Sequence, residues 1–202
     1  TGGDLYVLIM LEQVGFLGYP LLLCSLVAIW VILIKALFWV QYYRGLNSVA
    51  VKACFQALCA GDKQAVLAQA KTQSHPMLRI VHAGVSTLDA TNKESALQYA
   101  CACELRPMRA YYNALVFIIS VAPMLGILGT IIGIIQAFNS MNTSGAFEPV
   151  QMISGISMAL WTTAIGLSVT IMTLLPYYFF LSQTAKAGHA FEDWATKVAG
   201  LE

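Results

Sequence analysis

The stretch 154–180, SGISMALWTTAIGLSVTIMTLLPYYFF, carries no charged residue, and it constrains the chain more than any other feature. A helix rises about 1.5 Å per residue, so roughly 20 apolar residues cross the hydrocarbon of a bilayer, and this run has room to spare. Thr162, Thr163, Ser168, Thr170 and Thr173 lie inside it. One hydroxyl is tolerated in lipid because it bonds back to the preceding turn. Five together point to a helix interface or to a wet passage, and the run by itself leaves both open.

The rest of the composition agrees with a membrane protein. Of 202 residues 58% are hydrophobic and 10% charged, far from a soluble domain. The formal net charge is +1, without the basic excess that nucleic acid would call for. The placement of the charges is more telling. Residues 1–34 have no Lys or Arg, 35–109 hold nine of the eleven, and Lys186 and Lys197 follow the last apolar run. The segment 139–151 has none. The positive-inside rule then puts the N-terminus and that short loop outside, the long middle segment and the tail in the cytoplasm, with three spans between them. Cys24, Cys54, Cys59, Cys101 and Cys103 fall in the first span or on the cytoplasmic side, where thiols stay reduced. Cys101 and Cys103 lack the spacing of a zinc pair, and neither a metal nor a cofactor is expected.

Taken in order, the chain divides into seven segments. Residues 1–15 read as a helix lying on the outer face, apolar in its centre with Asp4 and Glu12 at its ends. The first span is 16–43; Lys35, near its inner end, is expected to extend to the headgroups, and Trp39, Tyr42, Tyr43 and Arg44 form an interfacial belt. Residues 44–110 are cytoplasmic helices. The first, 46–60, places Leu46, Val49, Ala50, Ala53, Ala57 and Leu58 on a helical period. Gly61 stops it and Asp62 caps the next helix, 63–73, which ends at His75-Pro76. A third helix spans 77–88. Thr91 and Glu94 form a capping box for a helix from Asn92 that runs almost unbroken into the membrane. His75 and His82 read as packing or surface residues, and no nucleophile-base order or phosphate-binding glycine loop is found.

The second span is 111–138. Pro123 is placed to bend it, with Ser120 nearby to bond a freed carbonyl. Gly126, Gly129 and Gly133 share a stripe that admits another backbone. The loop 139–152 is short enough to force the third span, 153–180, into an antiparallel hairpin with the second. Thr130 and Thr163 then come to similar depth, which favours a polar lining. The tail, 181–202, is an amphipathic cytoplasmic helix.

Two blocks carry a resemblance: SVAPMLGILGTIIGIIQAF at 120–138 and, after the loop, GISMALWTTAIGL at 155–167. Together they resemble the paired signature of the MotA/TolQ/ExbB proton-channel family. The likeness runs more loosely over the whole chain, including Gly61-Asp62 and the HPML stretch at 75–78. A single span before the cytoplasmic segment is similar to ExbB and TolQ and unlike flagellar MotA. The resemblance implies an all-α, multi-pass protein of the bacterial inner membrane, acting as a stator driven by the proton-motive force. It implies a homopentamer whose second and third spans enclose a dimer of an ExbD-like or TolR-like single-span partner, with a TonB-like or TolA-like transducer beyond. Thr130 and Thr163 match the family's pore-facing threonines. Ile127, Leu160, Leu167 and Thr170 are candidate pore-lining residues beside them, and Gly126, Gly129, Gly133, Gly155 and Gly166 are packing positions. Most ExbB and TolQ proteins have glutamate in the third span where this chain has Met158. Neither pore span holds an acid, so the titrating group has to come from the partner.

Two other classes compete. A non-conducting scaffold would use the small-residue faces only to assemble other proteins. An intramembrane enzyme is disfavoured, because the second and third spans offer no His, Asp or Glu as acid, base or ligand.

Overall fold

The computed structural model describes residues 15–71, 75–87, 90–143 and 149–200. Those residues are all-helical. A 3₁₀ turn at Gly15–Leu17 leads into α1 (Gly18–Leu46), followed by α2 (Val49–Ala60), α3 (Lys63–Ala70), α4 (Pro76–Ser86), α5 (Ala90–Arg109), α6 (Tyr112–Thr143) and α7 (Pro149–Ala199). Three stretches, those containing α1, α6 and α7, are long and apolar enough to cross a membrane. The outer-face helix expected over 1–15 lies almost wholly outside the described residues. The chain divides into two compact units.

The first unit takes α1 up to Leu33, together with Tyr111–Tyr177. Leu17, Leu21, Ala28 and Val31 form the buried stripe at its N-terminal end, while Leu23, Leu26, Ile29 and Leu33 are exposed, as a lipid-facing helix requires. α6 and α7 pair antiparallel. A Cβ on Gly133 would lie 2.7 Å from the Gly155 carbonyl oxygen, and one on Gly166 would lie 2.7 Å from the Ala122 oxygen. Backbones this close exclude any side chain, so all five predicted packing glycines lie at the seam. Tyr111 has φ 66°, outside helical torsions, and this breaks the run between α5 and α6 that the sequence pattern joins. Its ring packs edge-on to Trp30 at 6.2 Å, and Tyr112 packs edge-on to Tyr177 at 5.8 Å. α6 passes through Pro123 without ending. Ser120 does not serve the carbonyl that Pro123 leaves free, because its hydroxyl donates to Val116 O at 2.9 Å. The expected loop 139–152 is helical as far as Thr143 and again from Pro149.

The second unit comprises Ile34–Ala110 and the chain from Tyr178 onward. Ser48 caps α2 by accepting from Val51 N. The α2 helix starts later than the expected 46–60, and the face it buries is Val51, Cys54 and Leu58; Val49 is 84% exposed. Gly61 ends α2 at φ 74°, the left-handed conformation that a Cβ disfavours, and Asp62 accepts from Gln64 N and Ala65 N to start α3. Leu78, Ile80 and Val81 of α4 are fully buried, each contributing about 1.5–3 kcal/mol. A Cβ on Gly84 would meet Leu97 and Val198, so α4, α5 and the end of α7 converge there. Phe55 packs on Trp194 at 5.5 Å, and Lys197 Nζ lies 4.4 Å from the centroid of the Phe55 ring, a cation–π contact. Arg79 and Glu104 form a two-bond ion pair at 2.6 and 2.7 Å.

Lys35 departs from expectation. It is 2% exposed and donates from Nζ to Met108 O at 2.6 Å, instead of reaching outward to headgroups. Met108 lies in the last turn of α5, where carbonyls have no amide four residues on and the helix end is electronegative. An ammonium answers both needs. The α5 helix begins at Ala90, ahead of the start expected at Asn92.

Candidate functional site

The site is built where α6 crosses α7 in the first unit. Gly126, Gly129 and Gly133 bring the backbones together, and Thr162 fills the space beside Gly129, completely buried. A Cβ on Gly129 would collide with the Thr162 side chain. At this level the two predicted ion-pathway residues bond neighbouring carbonyls of the same helix. Thr130 donates to Ile127 O at 2.6 Å, and Thr163 donates across the seam to Gly126 O at 3.2 Å.

Of Thr162, Thr163, Ser168, Thr170 and Thr173, four bond back along their own helix. Thr162 donates to Ala159 O, Ser168 to Ala164 O, Thr170 to Gly166 O and Thr173 to Val169 O, at 2.7–2.9 Å. Thr163 is the exception: its hydroxyl bonds across the seam to α6. Each hydroxyl oxygen keeps lone pairs with which to accept from water or from a protonated carboxyl.

Thr130 is half-buried and lines a recess of about 330 Å³ with Ile134, Ala137, Phe138, Ile156, Ala159 and Leu160. The candidate pore-lining residues lie on open faces: Ile127 is 57% exposed, Leu160 67% and Leu167 49%. Thr170, bonded to Gly166 O, is half-buried. Met158 turns toward the start of the chain; its Cε lies 3.0 Å from where a Cβ on Gly15 would sit.

A larger cleft, about 820 Å³, lies within the second unit between α5 and the end of α7. Its floor includes Leu97, Cys101 and Leu105, and its rim carries Glu94, Arg106, Arg109 and Glu192. Cys101 points its thiol at Phe191 O, and burial, followed by the Glu192 charge, pushes its pKa up. Burial raises Cys54 to about 11. Both stay thiols at neutral pH, unsuited to nucleophilic chemistry. Among the described residues no three His, Cys, Asp or Glu side chains gather as a metal site would need.

Comparison with known proteins bears on this arrangement. Residues 69–193 match the model of the MotA/TolQ/ExbB proton channel family. That is more than half of the chain, and it contains every glycine of the seam. The chain belongs to the MotA/TolQ/ExbB proton channel family. Among relatives in this family, the biopolymer transport protein ExbB-like 3 of Synechocystis is 33% identical over 165 residues, covering 80% of this chain and 78% of the relative. Biopolymer transport protein exbB1 of Vibrio cholerae is 28% identical over 169 residues, 79% and 72% of the two chains. ExbB of Helicobacter pylori reaches 41% over a shorter stretch of 79 residues, 39% of this chain and 54% of that one. A family member with three span-length apolar helices is a membrane protein of channel type, and its hydroxyl-bearing hairpin is the part to examine for conduction.

Pattern reading missed two contributors. Thr162, grouped with the other hydroxyls, is the residue that Gly129 is small to accommodate. Lys35 is an internal partner of α5. The signal for the first was the antiparallel hairpin itself, which sets Gly129 opposite 159–163. No sequence signal pointed to the Lys35 bond.

Proposed function

We propose that this chain is an ExbB/TolQ-like stator subunit of the bacterial inner membrane, N-terminus outside and C-terminus cytoplasmic. Five copies surround a dimer of an ExbD-like or TolR-like single-span protein and drive a TonB-like or TolA-like transducer, energising transport or envelope processes. The pairing of Thr130 and Thr163 on consecutive carbonyls at the helix crossing, beside an open apolar recess, carries this reading. Apolar faces at Ile127, Leu160 and Leu167 exclude a bare carboxylate and admit a neutral one, because burial disfavours the ionised form. A partner aspartate protonated from outside then passes this ring, donates a hydrogen bond from its carboxyl to the threonine oxygens, and releases its proton inside. Asymmetry between five subunits and two partner helices turns each transfer into a step of rotation. The chain supplies no cofactor or metal chemistry to this cycle and acts as a channel wall rather than an enzyme.

The second reading, a non-conducting scaffold, draws on one observation: the Thr163 hydroxyl already serves as an interhelical bond. One variant separates the readings, and a second serves as the control for assembly. For a channel, Thr163→Val abolishes flux while assembly persists, since interhelical hydrogen bonds in membranes average about 0.6 kcal/mol. Gly129→Leu forces the seam apart and destroys assembly under either reading. Unchanged flux in an assembled Thr163→Val complex would take Thr163 out of the pathway and favour a packing role.

A further inference from the structure

His75 is 2% exposed and caps α4. Pro76 has no amide, so the first N–H of that helix belongs to Met77, and it donates to His75 Nδ1 at 3.3 Å. On the far side of the ring, Nε2 lies 3.3 Å from Tyr42 O, near the end of α1. A carbonyl only accepts and a backbone amide only donates. Both contacts are therefore met by one species, the neutral imidazole with its proton on Nε2. The ring also stacks on Tyr42 at 4.8 Å, and its Cδ2 occupies the space that a Cβ on Gly45 would need, 2.9 Å away. The histidine is thus gripped from α1 and α4 at once.

The charged groups facing it are Arg79 on α4, which opposes its protonation, and Glu104 on α5, which favours it; the two are bonded to each other. The phenol of Tyr42 is the other titratable group in contact. Burial is the largest influence and lowers the pKa from the usual 6.5, with the Tyr42 carbonyl bond acting in the opposite direction.

We propose that His75 is a pH-sensitive clamp between α1 and α4: the neutral ring joins the Tyr42 carbonyl to the Met77 amide, and protonation turns Nδ1 from acceptor to donor and opens it. The positive end of the α4 dipole adds to the repulsion. The unfolded chain takes up the proton before the folded one does, so stability follows the acid-sensitive sign. The clamp is fully formed above 6.5 and is lost as pH falls from there through the folded-state value. These contacts lie within one unit, and the clamp operates whether or not the protein conducts ions.

Hydrogen–deuterium exchange on the full-length protein in nanodiscs, corrected for the intrinsic pH dependence of exchange, tests this. Between about pH 8 and about pH 5.5 the amides of 77–81 and 42–46 in the wild type lose roughly tenfold in protection, the scale of a lost cap plus its second bond. His75→Asn keeps a neutral capping oxygen at every pH, and its protection stays flat. The double variant His82→Gln/His189→Gln responds like the wild type. An equal response in His75→Asn, or none in the wild type, overturns the proposal. Nitrogen NMR of the wild-type imidazole gives an answer even if His75→Asn fails to fold. The Nε2–H tautomer at high pH, with the Met77 amide shifting as the ring titrates, supports the clamp, and the Nδ1–H tautomer refutes it.

Discussion

At the scale of single residues, polar groups in the spans are not free agents waiting for an ion. Thr162, Ser168, Thr170 and Thr173 each close a bond within their own helix, so their spacing reports tolerance of lipid more than a wet path. Thr163 and Thr130 differ in company: one crosses the seam, the other borders the recess. Lys35 makes the same point with a full charge. Its bond to Met108 O answers a helix-end carbonyl, so Lys35→Met leaves that buried acceptor without the ammonium. The expected cost is about 1–3 kcal/mol, read as a lower thermal midpoint in detergent. A midpoint equal to that of the wild type would mean the ammonium is solvated as a headgroup anchor after all.

At the scale of elements, the sequence announced most of the helices and some of their ends. Gly61 and Asp62 stand where expected, because stop and cap chemistry is local and depends on two or three residues. Asp62→Ala therefore destabilises the chain by about 1 kcal/mol through α3, measurable as a shift in denaturant midpoint with unchanged slope, and Asp62→Asn restores most of it. An unchanged midpoint in Asp62→Ala would show that tertiary packing alone holds α3. At Gly126, Gly129 and Gly133 the absence of a side chain leaves room for the facing helix, whose atoms lie within contact of where a Cβ would be. Other features were not legible. The start of α2 depends on whether Asn47 and Ser48 continue α1 or break it, and the buried face turned to Val51 and Cys54 accordingly. The break at Tyr111 rests on a left-handed torsion at a residue type that rarely adopts one. The Lys35 bond joins residues 73 apart in sequence, which no local pattern encodes.

At the scale of the whole molecule, the family and the three span-length helices come from different observations and agree. The proposed pathway rests on a hairpin that the sequence outlined. The two blocks at 120–138 and 155–167 marked the hairpin, and the hairpin placed Thr130 and Thr163 at one level. That Thr163 is bonded to Gly126 O could come only from coordinates. The absence of any acid from the second and third spans makes the central claim sharp: this chain forms a wall, and a partner carboxylate carries the proton. The most direct test is pH-gradient-driven flux into liposomes holding the chain alone, the chain with its single-span partner, or the chain with that partner's membrane aspartate changed to asparagine. Flux confined to the intact pair is the predicted result. Flux from the chain alone, or from the asparagine pair, would put the carrier elsewhere, and no flux from a verified, correctly oriented complex would leave the scaffold reading standing.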